Sequence, residues 1–389
     1  MDREQYRASK FGEVRTCRIG PPFDYCLPKK IPRKLPESAE LMAILSEADA
    51  ALGRLDGLGS IVKDVSLLIR PYQQAEAVAS TRIEGTRATI SDVLKSELSQ
   101  SQNSDDTREV QRYLSASKLA YTLLESLPIS QRLICQVHAD LMCDVRGAER
   151  NPGELRRSPV WIGGVSATLN TARFVPPVAD ELPALLTDWE RYVNEERNDI
   201  PVLIRAALMH YQFETIHPFL DGNGRMGRLL INLFLKSSGR LNEPLLYLSG
   251  YFERNRDRYY ETLQAVREEG DVVPWLRFFL EAVRDQSIDA VERAQGLVEV
   301  RERFREQARG SGKPNLYGLA DILIGMPIVT VKKVQNELGI SNQGARNVLN
   351  LASSPEYAWI TSRGKFGRGA AEYWEATEVL GILERDVER

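Results

Sequence analysis

The sequence predicts a mainly α protein: a helical core with a β-hairpin flap, plus a small C-terminal winged helix-turn-helix domain. Three observations predict it. Apolar residues recur at three-and-four spacing through most of the chain. One stretch, PVWIGGVSATLNTARFVPP at 159–177, breaks that spacing with short β-type runs around Gly163, Gly164 and Asn170 and a closing double proline. Near the C-terminus RGSGKPN, at 309–315, separates the last long helix from a pair of short ones.

With 389 residues, 43% of them hydrophobic and 27% charged, the chain has material for two or three domains and a proper core. Lys and Arg total 51 against 54 Asp and Glu, and a formal charge of −3 gives no global reason to bind nucleic acid or a membrane surface. The four cysteines, Cys17, Cys26, Cys135 and Cys143, form no CxxC pair and have no histidine companions at zinc spacing. Reduced thiols are expected, although Cys17 and Cys26 could approach each other. The amino terminus is charged from its second residue, and no run approaches membrane-spanning length. A cytoplasmic protein with no membrane partner is the expectation.

In chain order, residues 1–37 carry Pro21, Pro22, Pro28, Pro32 and Pro36 with little periodicity, which predicts an extended arm lying on the body. Regular structure is expected from Ser38, an N-cap for a helix whose apolar stripe is Leu41, Ile44, Leu45, Ala48 and Leu52. The segment PYQQAEAVASTRIEGT reads as a helix stopped by Gly85, placing Glu84 at a helix C-terminus, and Thr89 with Asp92 restarts a helix by a capping pattern. Further helices are predicted at 106–126, 129–143, 179–196, 201–216, 224–238, 254–268, 272–284 and 286–308.

The most informative segment is FETIHPFLDGNGRMGRLLINLFL, 213–235. Gly222, Gly224 and Gly227 have GxGxxG spacing, but the residues before them are helical, so a dinucleotide fold is refused. Glycines opening an amphipathic helix instead offer unpaired N–H groups and the positive end of a helix dipole, which suits phosphate. Arg225 and Arg228, three apart, would share a helix face and reach a polyphosphate. Asp221 supplies a hard oxygen for Mg²⁺ bound through phosphates, and His217 is a base for neutral pH.

The run HPFLDGNGRMGR, 217–228, resembles the full signature of the Fic family of nucleotidyl transferases. The likeness extends to RGAERNPGELR, VWIGG, LIRAALMHYQFETI and RNRDRYYETL, and covers roughly 75–300. It implies a Fic helical core that moves AMP from ATP to a hydroxyl of a protein. His217 would deprotonate the acceptor and Asp221 would hold Mg²⁺. Gly222, Asn223 and Gly224 would cradle phosphates, Arg225 and Arg228 would hold the outer ones, and Phe219 would anchor the loop. The protein substrate would add as a strand along the 159–177 flap. Kinase-like relatives carry lysine at the position of Gly224, so the glycine points to AMP transfer.

Upstream, Ser80, Glu84 and Gly85 in ASTRIEGT resemble the inhibitory motif of class II Fic proteins, which implies that Glu84 pairs with Arg228 and restrains the enzyme. Self-modification and a homodimer are compatible with this reading. His210 and His138 sit in apolar helical patterns and read as packing residues. Tyr259 and Tyr260 resemble residues that line the nucleotide pocket, yet an aromatic pair on a helix is equally a core feature.

The expected organisation is an N-terminal arm and helices at 1–105, a catalytic core at 106–308, a linker at 309–316 and a winged-helix-like domain at 317–389. In that last domain one helix ends at Gly339 and the next starts near Ser341, which would place Asn342, Gln343, Arg346 and Asn347 where a DNA reader puts its side chains. Arg363, Lys365 and Arg368 could meet phosphates. Two alternatives remain: a DNA-binding regulator whose core senses nucleotide, and an enzyme that removes AMP with Glu84 positioning water.

Overall fold

A computed structural model describes residues 1–6, 8–34, 38–61, 66–98, 104–164, 166–196, 199–366 and 371–385. Among the described residues Arg368 is absent, so its expected contact with phosphate lies outside them. The described chain forms fifteen α-helices and two small antiparallel sheets. No described helix is long and apolar enough to cross a membrane.

The bundle is built around α7 (Val202–Ile216), in which every residue from Leu203 to Ile216 is buried. A helix buried on all sides has to be wrapped. α6 (Leu182–Val193) and α11 (Val273–Ser311) do this with indoles: Trp189 donates to Met209 O at 3.1 Å and Trp275 to Ala207 O at 3.0 Å. α8 (Asn223–Ser237) follows α7 and packs along it. Around this pair lie α1 (Ala39–Ile61), α2 (Ser66–Ile83), α4 (Asp105–Leu124), α5 (Gln131–Leu141), α9 (Leu248–Arg254) and α10 (Arg256–Glu269).

The short α3 (Ile90–Leu98) starts with reciprocal caps: Asp92 N donates to Thr89 Oγ1 and Thr89 N to the Asp92 carboxylate, both at 3.0 Å. This is the capping pattern that the sequence predicts.

Four expectations need correction. The N-terminal arm is a regular hairpin, with β1 (Gly12–Cys17) antiparallel to β2 (Phe23–Pro28), because Tyr25 and Cys26 are buried against Phe174 and Val175 in a second small core. Its register sets Cys17 opposite Phe23 and Cys26 opposite Val14, and all four thiols are free.

The 159–177 flap is narrower than a hairpin of two full strands: one antiparallel bridge, Ile162 with Phe174, joins its sides. Between them Thr168 and Thr171 close a turn on themselves, and Pro176 and Pro177 have no N–H to extend the ladder. The helices expected at 272–284 and 286–308 are one helix, α11. The linker expected at 309–316 shrinks to Gly312 and Lys313: α11 continues through Ser311, Gly312 caps it at φ 66°, and α12 (Pro314–Gly325) begins with its proline at the first turn.

The C-terminal unit contains α12, β3 (Ile328–Thr330), α13 (Val331–Leu338), α14 (Asn342–Ala352), β4 (Thr361–Phe366), β5 (Ala371–Glu375) and α15 (Thr377–Glu384), with β5 between β3 and β4. It is fastened to α11. Trp359 stacks on Phe304 with centroids 4.4 Å apart and donates to Gln307 at 2.6 Å, while Arg293 donates to Ile382 O and Leu383 O.

Removing the buried indole should therefore loosen this unit. Trp359→Ala is expected to cost about 3–5 kcal/mol, the usual range for a buried aromatic truncated to alanine. Urea unfolding followed by circular dichroism checks it, and a loss below about 1 kcal/mol would mean that the stack does not hold the unit to α11.

Candidate active site

The loop joining α7 to α8 is held by residues from four parts of the chain. His217 closes α7 in a left-handed conformation, φ 52°, with its N–H on Phe213 O at 2.9 Å. Asn223 staples the loop: its Oδ1 accepts from Phe219 N and its Nδ2 donates to Phe219 O, each at 2.9 Å. Phe219 is fully buried and stacks on the His138 ring at 3.7 Å. Gly153 N donates to His138 Nδ1 at 2.9 Å, so Nε2 carries the proton and donates to Asp221 O at 2.9 Å. Arg156, 3% exposed, gives its guanidinium entirely to carbonyls, those of His217 at 2.8 Å, Pro177 at 2.5 Å, Ile216 and Ser158. It ties the histidine to the base of the flap.

At the start of α8 the first N–H groups have no acceptor within the helix. Gly222, at φ 75°, provides no side-chain cap. Glu84 lies over this end: any side chain at Gly224 would run into the Glu84 carboxylate and Arg228. Arg228 donates to Glu84 Oε1 at 2.7 Å, to Ser80 Oγ at 2.9 Å and to Ser80 O at 2.8 Å. Its side chain is 1% exposed and that of Glu84 35%. Burial works against ionising Glu84, but Arg228 outweighs it and holds the carboxyl below its ordinary range. Gly85 ends the segment at φ 101°, so Ser80, Glu84 and Gly85 stand together at the end of α2.

Arg225 takes another direction. It pairs with the buried Glu109 at 3.3 Å, touches Met142 Sδ at 3.3 Å and lies 3.7 Å from Asp221. The expectation that Arg225 and Arg228 reach out together is corrected in this geometry, since the Glu109 carboxylate draws Arg225 inward. The polar atoms of Asn223 are likewise engaged by Phe219, so its side chain shapes the loop. Asp221 is 36% exposed, accepts from Gly222 N at 2.6 Å and faces Arg150 at 3.6 Å. Among the described residues no cluster of three metal-ligating side chains exists. A lone, half-open carboxylate fits Mg²⁺, which takes most of its ligands from phosphate and water.

A cleft of about 470 Å³ opens over His217, Gly224 and Arg228, walled by Trp161 and Phe174 on one side and Tyr260 on the other. A second cleft of about 540 Å³, between Arg70 and Lys236, contains none of these residues. His217 Nδ1 lies 3.3 Å from Glu214 O, which can only accept, so the proton sits on Nδ1 and Nε2 is the free base. Burial, then Arg156, push the ring down to about 3.

Both tyrosines line the cleft, Tyr259 buried with its hydroxyl on His210 Nε2 at 2.8 Å and Tyr260 40% exposed. His210 reaches Gly227 O at 3.0 Å with its other nitrogen and is pushed down by burial to about 3. Sequence reasoning missed Arg156, Glu109 and the role of His138, whose partners lie tens of residues away. It also missed Glu214, whose buried carboxyl is raised to about 7 by desolvation and carries an unpartnered Oε1.

The chain has three histidines, and burial pushes all three below the ordinary 6.5, to about 4 at His138 and about 3 at His210 and His217. The unfolded chain then binds more protons than the folded one as pH falls. Their contribution to stability is complete above the unfolded value and is lost towards pH 4 to 3. Glu214, with its pKa raised, works in the opposite direction between about 4.5 and 7. The thermal midpoint should thus fall below about pH 6.5 and fall more steeply below about 4.5. Scanning calorimetry across that range tests this, and a constant midpoint would contradict neutral, buried histidines.

Residues 42–122 match the family model described as Fic/DOC family N-terminal, and residues 128–235 match the one described as Fic/DOC family. The chain is 30% identical over 255 residues to a protein of Drosophila grimshawi named protein adenylyltransferase Fic, covering 63% of this chain and 45% of that protein. A protein of the same name from Drosophila erecta is 33% identical over 168 residues, 43% of this chain and 29% of its own. The chain spans less than half the length of either relative. Among solved structures, a Fic family protein from Desulfovibrio desulfuricans G20 superposes with a TM-score of 0.58 at 21% identity, covering 88% of this chain and 97% of that one. Fic-1 (aa134–508) from C. elegans gives 0.51 at 22% identity, over 66% and 73%. These two likenesses concern the fold.

Proposed function

Because the chain belongs to the Fic/DOC family through residues 42–122 and 128–235, we propose that it transfers AMP from ATP to a Ser, Thr or Tyr hydroxyl of a protein, releasing pyrophosphate, and is restrained by Glu84. One observation carries the proposal. His217, neutral and with its proton on Nδ1, lines the same cleft as Arg228 and Gly224 at the uncapped start of α8.

In the proposed reaction Nε2 of His217 takes the proton of the acceptor hydroxyl as its oxygen bonds to the α-phosphorus and the bond to pyrophosphate breaks. A ring pushed down to about 3 is a weak base, but a polyphosphate beside it adds negative charge that moves its pKa back up. The N–H groups at Asn223 and Gly224 and the guanidinium of Arg228 hold the phosphates. Asp221 would hold Mg²⁺, which supplies neutralising charge to the phosphates. The exposed Trp161, beside the Ile162–Phe174 bridge, offers the edge along which a target segment would lie. We read the C-terminal unit as a winged helix on the strength of its α13–α14 pair and three-stranded sheet.

Incubation with α-labelled and γ-labelled ATP tests the reaction. Label on protein is expected from the α position alone, and γ-label on protein would replace AMP transfer with phosphoryl transfer. His217→Ala should abolish labelling while ATP binding persists, because the base acts only as the acceptor loses its proton. Normal turnover in that variant rejects the assignment.

Restraint by Glu84 predicts that Glu84→Gly raises AMP transfer about tenfold, the lower end for a charge-assisted pair because the carboxylate is a third exposed. Arg228 keeps its two bonds to Ser80 in this variant. The double variant Glu84→Gly, Arg228→Ala should be inactive. Equal rates for wild type and Glu84→Gly would remove the restraint, and slower AMP release from modified protein in Glu84→Gly would favour the reading in which Glu84 positions water.

A further inference from the structure

The turn that contains Glu84 is continuous with α3, and the two are bound together. Arg82 Nε donates to Ala88 O at 2.9 Å, Thr86 N to Thr81 O at 3.3 Å, and Arg87 N to Asp106 at 2.7 Å. With α3 capped by Thr89 and Asp92, the end of α2 cannot shift without α3.

The other side of α3 rests on the C-terminal unit. Lys95 Nζ lies 3.2 Å from Glu375 Oε1 and 5.4 Å from the Tyr373 ring centroid, and Ser91 donates to Glu384 at 3.0 Å. The second oxygen of Glu375 accepts from Arg363 Nε at 2.7 Å. One carboxylate, 12% exposed, is thereby shared between a core helix and strand β4.

The surface beyond β4 has a definite chemistry. α14 follows Ser341, whose Oγ caps Gly344 N at 3.1 Å, and exposes Asn342, Gln343, Arg346, Asn347 and Asn350. No acidic residue lies between Asn342 and Ala352, and the helix's apolar Ala345, Val348 and Leu349 are buried in its own unit. A protein interface is centred on aromatic or aliphatic anchors, and this face has none. Amides and an arginine are the groups that read base edges, while the exposed Lys332, Arg363 and Lys365 suit phosphates.

We propose that the C-terminal unit buttresses the inhibitory turn through α3 and yields when duplex nucleic acid binds across α14 and β4, releasing Glu84 from Arg228. This rests on the restraint proposed above. Phosphate captures Arg363 and takes it from Glu375, and the nearly buried carboxylate, left under-compensated, makes a weaker junction between α3 and β5. Coupling of this kind is reciprocal, so nucleotide in the cleft tightens the hold on nucleic acid.

Hydrogen exchange at residues 80–98 reads the buttress without reference to catalysis. Mixed-sequence duplex DNA at low salt should speed exchange there by about tenfold, within the usual span of coupling between sites. Glu375→Gln and Lys95→Met should each do so without DNA, and Arg346→Ala should lose the DNA response while keeping the response to Glu375→Gln. Unchanged exchange in both buttress variants overturns the proposal. So does DNA that leaves exchange unaltered, or binding of this face to a protein while DNA is inert. If Glu84→Gly transfers AMP but exchange does not respond, the buttress fails and the enzyme reading stands. If exchange responds and Glu84→Gly transfers nothing, the buttress stands and the enzyme reading fails.

Discussion

A guanidinium that is 1% exposed must have all its partners supplied by the protein, and much of the structure follows from satisfying Arg228. Ser80 contributes both its hydroxyl and its carbonyl, and Glu84 adds the carboxylate, so α2 must lie against α8 with its end over the uncapped helix start. The division of labour matters. Ser80 keeps two hydrogen bonds to Arg228 when the carboxylate leaves, while the charge of the guanidinium then calls for another anion in the cleft. Ser80 and Glu84 thus hold Arg228 in different ways, since Ser80 binds it from within α2 and Glu84 from the turn that follows.

The loop between α7 and α8 is shaped by a second group of buried polar contacts, and these act through carbonyls more than through charges. His138 and Arg156 come from opposite ends of the 138–156 stretch and meet the loop at Asp221 O and His217 O. Burial keeps all three histidines neutral, and their hydrogen bonds fix which nitrogen carries the proton, leaving Nε2 of His217 open. A site that works by positioning needs such support, because an imidazole displaced by an ångström loses most of its effect.

Charge in this protein is local. A total of −3 conceals an α14 face without acids and a Glu375 that joins two cations from separate parts of the fold. The long α11 makes that junction durable, since one helix packs on α1 at its start and receives Trp359 at Phe304 near its end.

The sequence by itself determined the helical class, most of the helix positions, the stop at Gly85, the cap at Thr89 and Asp92, and the short segment in which an imidazole, a hard carboxylate and an uncapped helix start occur together. These depend on spacing within one or two turns, which periodicity and capping chemistry report directly. That Glu84 would meet Arg228, 144 residues away, was legible only through the resemblance of two motifs. Tertiary structure alone decided the rest. Arg225 turned to Glu109, 116 residues distant, because a buried acid was there to meet it. The proline-bearing arm became a hairpin because Cys26 N could bond Val175 O, and the region expected as a linker stayed helical because α11 had the C-terminal unit to pack against. Partners that far apart leave no periodic trace in the chain, since what selects them is the burial and hydrogen bonding that exist only once the chain has folded.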